Sequence, residues 1–547
     1  MFRPAQPPYD PLEWATKPFS EKGRLVCCAW AMQGYGTPLA VYLVYVLKIA
    51  LYVAGWFFFC GFTSGLGGLH DVSAWWLRPE AFQKAIVWSM LFEVAGFGCG
   101  SGPLTGRYVP PIGGLLYFLR PGTTKLPVWQ SAPVVGGYRR TWLDVGLYAL
   151  VVGVALRALV RDAPDPHDLV HLALLLPLLG ICDRTIFLAA RGEHYWTTIL
   201  VLVLAGDAVP EAFVPGAKAI HAALWFWAGV SKLNHHFPSV VGVMTSNSPF
   251  TRIEALRRLM YRDYPRDLGP STLATIAGHA GTLLELAVPV VLLTARGGTL
   301  TIVGLALMLL LHSFITSNVP MAVPLEWNVM MVYGGFFLFW KHAAVGLGEM
   351  TVPVAIAVAV MGVLVPLAGN LFPSRVPFLL AMRYYAGNWA YSVWFFRGTS
   401  HEKLARLTKS SGWIHDQLGV LYDRPTCVAV VGKVIAFRLM HLHGRILARL
   451  LPRALDRFED YEWIDGELVA GMVLGWNFGD GHLHREDLLR AVQAQCGFEE
   501  GELRCIMVEA QPLGRPTLHY RIHDARTGLL EEGHVPVSEL RAAQPWG

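Results

Sequence analysis

Lys232 ends a run that otherwise reads as a membrane helix. The stretch LWFWAGVSKLNHHFPSVV, residues 224–241, sets a lysine and then His235 and His236 directly behind Trp225, Phe226 and Trp227. A charged side chain at the centre of a bilayer costs ~2.5–3.5 kcal/mol on insertion scales, so ionisable residues at that depth are candidate functional groups. The others at such positions are Glu93, Arg157, Asp183, Arg184, His194, His221, His279, Glu285 and His312. On an α-helix His221, Trp225, Lys232 and His236 fall on nearly one face, and Thr282 and Glu285 share another, one turn apart. A bundle that turned these faces inward would enclose a polar cavity walled by Trp and Phe. Desolvation disfavours an ammonium, and a neutral amine accepts a proton from a phenol-like or hydroquinone-like molecule. The plain alternative is a lysine at a helix end that snorkels to the headgroups. Asp183 and Arg184 read as structural charges near a helix end, and Glu93 and Arg157 as a cross-helix pair. The histidines stand on separate helices without HExxH spacing, so no metal is expected there. None is expected at His441 and His443 or at His482 and His484, because alternating residues share a face only on a strand.

The elements that must position these residues are membrane helices. Of 547 residues 54% are hydrophobic and 16% charged, against about 25% charged in a typical soluble domain; mean hydropathy is +0.40. The first residues, MFRPAQPPYDPLEWATKPFSEKGR, show no signal peptide. Eight cysteines, none in a CxxC pair, exclude a zinc ribbon and imply no disulfide framework. There is no P-loop, GxSxG or dinucleotide fingerprint. About ten windows approach the ~20 apolar residues of a span: 38–62, 81–98, 142–160, 168–190, 194–209, 216–234, 272–294, 298–319, 325–342 and 351–372. The aromatic stretch 378–396 reads as an eleventh span or an interfacial segment. Arginine and lysine in loops 99–141 and 235–271 put those loops, with the N-terminus, on the cytoplasmic side.

Composition changes near residue 397. Residues 397–457 hold eleven Lys and Arg against four Asp and Glu; residues 458–547 hold seven against sixteen. VVGKVIAFRLMHLHGRILARLL, with Lys433, Arg438, Arg445 and Arg449, suits a helix on an anionic membrane surface or an ordinary packing helix. In the acidic part REDLLRAVQAQCG reads as a helix stopped by Gly497, and LRCIMVEA, LHYRIHD and LLEEGHVPV as strands. The expected fold is an α-helical polytopic membrane protein with a C-terminal α+β soluble domain. Its divisions are an N-terminal segment 1–37, a bundle 38–396, a basic amphipathic membrane-surface segment 397–457 and an acidic domain 458–547.

Four segments carry a resemblance when taken in order: YWTTILVLVLA after His194, FWAGVSKLN, GHAGTLLELAVPVVLL, and LLLHSFITSNVP followed by NVMMV. Over residues 140–345 they resemble the horizontally transferred transmembrane (HTTM), vitamin K-dependent gamma-glutamyl carboxylase-like family. That resemblance implies Lys232 as the base toward a hydroquinone and His194 as a proton donor to a carbanion. His279, Glu285 and His312 match motif positions on the following helices. Ser231 stands where the family has a second lysine, and the family's large lumenal domain has no counterpart. The family's active site is lumenal, whereas the loop charges put Lys232 at the cytoplasmic edge. The whole chain, including the tail DYEWIDGELVAGMVLGWNFGDGHLH, also resembles a bacterial membrane-protein family known only as a domain of unknown function.

Two functions are expected from these readings. In the first the protein binds a lipid or quinone in an intramembrane cavity lined by His221, Trp225, His279, Glu285 and His312, and docks to a larger membrane complex through its C-terminal domain. In the second it is a quinone-dependent, carboxylase-like enzyme or oxidoreductase with Lys232 and His194 catalytic. Either sits in the bacterial inner membrane, contacts lipid and no nucleic acid, and has its C-terminal domain in the cytoplasm. Lys232 is expected to face the cavity within reach of Glu285, His194, His279 or His312.

Overall fold

The computed structural model describes residues 2–98, 113–206, 211–318, 325–409, 411–475 and 480–547. Cys99 and Arg107, which the sequence reading used, lie outside them. Helices begin where capping chemistry allows. Thr141 and Asp144 form a capping box at the start of Trp142–Val160. Ser271 accepts from the Ala274 amide at the start of Thr272–Thr294. Asp165 caps Pro166–Cys182, with proline at its first position.

Among the described residues five helices, not ten, are long and apolar enough to cross a membrane. They are Leu39–Cys60, Trp142–Val160, Thr272–Thr294, Gly298–Thr316 and Val352–Leu371. A sixth arises if Arg424–Met440 and Leu442–Ala454, bent 96° to one another, form one broken span. The other expected windows fold as helices Pro79–Val94, Pro166–Cys182, Tyr195–Ala205, Val214–Ser231 and Leu325–Gly335. An apolar run cannot distinguish lipid from protein interior, and except for Pro166–Cys182, which exposes Leu174 and Leu178, these helices sit largely inside the protein. Exposed Leu47, Leu283 and Leu310 mark the lipid-facing sides of the long spans. Pro79–Val94 and Val214–Ser231 are buried along most of their length. A Cβ at Gly229 would come within 2.6 Å of the Leu286 side chain. Glycine therefore lets Val214–Ser231 pack close against Thr272–Thr294.

The C-terminal region is built on a five-stranded antiparallel sheet of order β4-β3-β5-β6-β7. Its strands are β3 Tyr391–Arg397, β4 Tyr461–Asp465, β5 Leu503–Val508, β6 Thr517–Asp524 and β7 Gly528–Pro536; β1 Tyr261–Asp263 and β2 Asp267–Pro270 form a separate hairpin. The last three strands and helix Glu486–Cys496 lie where the sequence puts them, and the left-handed Gly497 ends that helix. Strand β3 does not. It comes from the aromatic stretch read as a span or interfacial segment, and every residue from Tyr391 to Phe396 is buried. A strand covered on both faces reads as a continuous apolar run, which is why it imitates a membrane segment. A boundary at residue 396 therefore cuts through a strand.

The basic helix differs from a membrane-surface helix as well. Lys433, Arg438 and Arg445 are buried. Lys433 donates to the Ala5 carbonyl at 2.8 Å, Arg438 to Asp465 at 2.9 Å and Arg445 to the Ala543 carbonyl at 2.7 Å. Arg449 is half exposed and pairs with Glu539. The cations hold the chain ends and the sheet together, an arrangement that charge spacing alone does not disclose.

Of the second histidine pair, His482 enters a buried ionic cluster, while His484 Nδ1 lies 2.7 Å from the Ser392 hydroxyl. His482 Nε2 lies 3.3 Å from Glu509, its Nδ1 lies 3.1 Å from Asp480, and Arg485 also contacts Glu509. Burial pushes the Glu509 carboxyl up, but His482 and Arg485 outweigh it and hold it at about 2. Burial and Arg485 disfavour the charged His482 ring, yet Glu509 and Asp480 raise it above its ordinary 6.5. A depressed carboxyl contributes stability that is complete above its ordinary 4.5 and lost as pH falls toward 2. A raised imidazole contributes stability that is complete below 6.5 and lost as pH rises through its folded value. The cluster therefore stabilises the fold most between pH 4.5 and 6.5. Unfolding midpoints measured across roughly pH 3 to 9 should show both limbs, and His482→Gln should flatten the alkaline one.

Candidate functional site

Lys232 caps the C-terminal end of Val214–Ser231. Its ammonium contacts the Glu285 carboxylate on Thr272–Thr294, and both side chains are buried, 10% and 5% exposed. The Phe237 ring lies 5.5 Å from Nζ. The lysine turns into the protein toward an acid and an aromatic face, so snorkelling to the headgroups does not describe it.

Further along the same helix, His221 Nε2 lies 2.9 Å from the Met331 carbonyl. A carbonyl only accepts, so Nε2 carries the proton and Nδ1 the lone pair. Trp225 donates its indole N–H to His312 Nε2 at 2.9 Å, and His312 Nδ1 lies 2.8 Å from Asn328 Oδ1. That pair of contacts holds His312 as the neutral Nδ1–H tautomer. His194 is buried just before Tyr195–Ala205, its ring 5.6 Å from that of His221. The His221 ring in turn lies 4.7 Å from Trp225. His194, His221, Trp225 and His312 thus form one continuous seam through the bundle. Lys232 and Glu285 stand beyond it at the end of the same helix. The seven residues from Trp225 to Lys232 are about 10 Å of helix rise. Lys232 is still near enough to His312 to act on it through space.

His279 is the expected residue the structure leaves out of this set. It is exposed, and it lines an open cleft with Asn234 and His235. Glu93 does not meet Arg157 either. Arg157 pairs with Asp168, while Glu93 is buried beside Glu326, whose carboxylate lies 3.5 Å from Lys48. Asp183 pairs with Arg140 at 2.7 Å, and Arg184 with Asp487 at 2.5 Å, tying the bundle to the C-terminal region. The structure adds residues that the pattern of isolated charges missed. Arg191 and Glu193 pair at 2.5 Å beside His194, and Tyr384 donates to Glu193 at 3.1 Å. The available signal is the run RGEHYW, residues 191–196, where an arginine and a glutamate precede His194. Within the described residues four buried atoms here have no hydrogen-bond partner: Glu193 Oε2, His194 Nδ1, Tyr195 Oη and Trp327 Nε1.

A family model described as a transmembrane protein of unknown function matches residues 1–547. The chain belongs to the DUF3556 family. No curated protein and no solved structure matches it. Its family description and its long apolar helices agree on an integral membrane protein in contact with lipid.

This DUF3556 chain therefore presents two kinds of chemistry inside its bundle. At one end a buried lysine–carboxylate pair can exchange a proton internally with no net charge change. In the middle, neutral imidazoles with defined tautomers and an indole offer donors and acceptors in a dry environment. Among the described residues no group of three or more His, Cys, Asp or Glu side chains could hold a metal ion.

Proposed function

We propose that the protein binds a lipid or quinone in the polar seam of its membrane bundle and, through its C-terminal region, serves a larger membrane complex. One observation carries the reading. Glu193, His194, Tyr195 and Trp327 bury hydrogen-bonding atoms that have no partner among the described residues, with His194 against the His221 ring and Trp327 against that of His312. A quinone offers carbonyl acceptors at opposite ends of a flat apolar ring, which suits donors such as Tyr195 and Trp327 among aromatic faces. Native mass spectrometry and solvent extraction of the detergent-purified protein test it. A co-purifying quinone or lipid near one per chain, depleted in His194→Ala, is the expected result. A wild-type protein free of any such molecule in mild detergent overturns it.

Catalysis is the second reading, favoured by the buried contact of Lys232 with Glu285 and by the HTTM resemblance. Here Lys232 passes its proton to Glu285, the freed amine takes a proton from a hydroquinone, which is left as its anion, and His194 returns a proton to the product. Conversion of added reduced quinone, lost in Glu285→Gln and in a Lys232→Ala protein shown to be folded, would establish it; silence toward quinones by a folded wild type would remove it. A bacterial inner-membrane location with the C-terminal region in the cytoplasm belongs to the same proposal; loop charge does not carry it, because Trp142–Val160 alone among the five long helices separates loops 99–141 and 235–271 and sets them on opposite sides. Cys496 and Cys505 are buried, so topology is tested by labelling a cysteine at an exposed position, Leu530→Cys.

A further inference from the structure

Arg383 is a buried arginine that no carboxylate among the described residues answers. It is 4% exposed. One of its terminal nitrogens, Nη2, donates to the carbonyls of Asn388 and Gln511, each at 3.2 Å. Its Nε and Nη1 donors are buried and have no partner among the described residues. The acid that acts on it through space is Glu509, already engaged by Arg485 and His482. Three other buried arginines are matched, Arg140 by Asp183, Arg191 by Glu193 and Arg438 by Asp465. Arg445 also meets no carboxylate among the described residues, but it donates to the carbonyls of Leu540, Ala543 and Leu268 and lies outside the cleft that Arg383 lines. A buried cation without a counter-charge is strongly disfavoured, and burial pulls this guanidinium down to about 10.

Arg383 lines an open cleft of about 460 Å³ between the membrane bundle and the C-terminal region, with its free donors buried behind the cleft surface. Asn234, His235, His279, Asn370 and Arg515 line it too, and among the described residues no acidic one does. Its wall is held in place. Asn388 Oδ1 accepts from the Gln511 amide at 2.7 Å, Gln511 Oε1 lies 2.8 Å from His236, and the Leu513 amide donates to the Asn370 carbonyl at 2.8 Å. Met382, directly before Arg383, has φ +50°, a conformation that is strained for a non-glycine residue and collects at ligand-holding sites.

We propose that this cleft binds an anion of the phosphate class, with Arg383 as its principal ligand and Arg515 at its lip. The planar guanidinium fork matches phosphate oxygens, and a desolvated, charge-assisted contact is the strong form of that bond. The cleft opens beside Asn370, one residue before the end of the Val352–Leu371 span, at the level where lipid headgroups lie. A phospholipid headgroup and a free phosphate share this chemistry. The proposal does not depend on what occupies the interior seam.

The test uses the full chain in detergent. Thermal unfolding is followed with inorganic phosphate against chloride at equal ionic strength, and with short-chain phosphatidylglycerol against the diacylglycerol of the same chains. A stabilisation by phosphatidylglycerol alone assigns a lipid headgroup, and one by inorganic phosphate as well assigns a soluble anion. In either case Arg383→Gln should weaken binding by about tenfold or more. Arg515→Gln, at an exposed position, should weaken it less, and it carries the test if Arg383→Gln does not fold. A wild type that prefers neither phosphate to chloride nor phosphatidylglycerol to diacylglycerol overturns the proposal. So does unchanged affinity in Arg383→Gln, or in Arg515→Gln where that variant stands in.

Discussion

Replacing Lys232 by methionine, or Glu285 by leucine, should each lower stability by roughly 3–5 kcal/mol, while replacing both together should recover most of the loss. The two side chains are buried against one another on adjacent helices. Removing one leaves a charge inside the protein with neither water nor partner, whereas removing both leaves apolar surface that packs. Unfolding of the purified variants in detergent, arranged as a double-mutant cycle, measures the coupling directly. Additive losses would show that the two charges do not hold one another. The pair also bears on function. A change at Lys232 alters folding as well as any chemistry, so Glu285→Gln, which keeps the shape of the acid, is the better control for turnover.

Arg438→Ala should weaken attachment of the C-terminal sheet by a comparable ~3–5 kcal/mol. Arg438 Nε lies 2.9 Å from Asp465, Nη2 lies 3.3 Å from Glu467, and the guanidinium stands 4.5 Å over the Tyr391 ring. Asp465 is itself buried and ends β4, so the ion pair fastens helix Arg424–Met440 to the sheet edge. Limited proteolysis should cut within residues 461–547 much earlier in the variant than in the wild type. Arg438→Lys should rescue only in part, because a point charge cannot serve two carboxylates and an aromatic face at once. Raising salt should leave the wild-type protein nearly unaffected, since buried pairs are poorly screened. Equal protease resistance in Arg438→Ala would refute the role.

Much of the site was visible as chemistry before it was visible as geometry. His221, Trp225 and Lys232 share a face because helical spacing puts them there. Glu285 was singled out because acids are rare in apolar windows. What each side chain meets depends on helices distant in sequence. Lys232 meets Glu285 because Gly229 admits Leu286 at close range. His312 is held by Trp225 and Asn328, which stand on two other helices. His279 shares its helix with Glu285 and has the same residue type as His312, yet it opens to the cleft. Arg383 carried no signal at all, since one arginine among aromatics reads as an interfacial anchor until its missing counter-ion is seen.

The sequence by itself determined membrane character, the five long apolar helices, the last three strands of the sheet and the inventory of ionisable groups inside the bundle. Those follow from local quantities: length of an apolar run, alternation along a strand and the penalty on charge in hydrocarbon. Tertiary structure alone decided which apolar helices face lipid and which are enclosed by protein. It also made residues 391–396 a central strand and buried the basic helix. Both assignments turn on what covers a surface. An apolar side chain is equally satisfied by lipid and by packed protein, and a buried cation depends on a carboxylate or carbonyl supplied from far along the chain. Only the folded arrangement supplies either one.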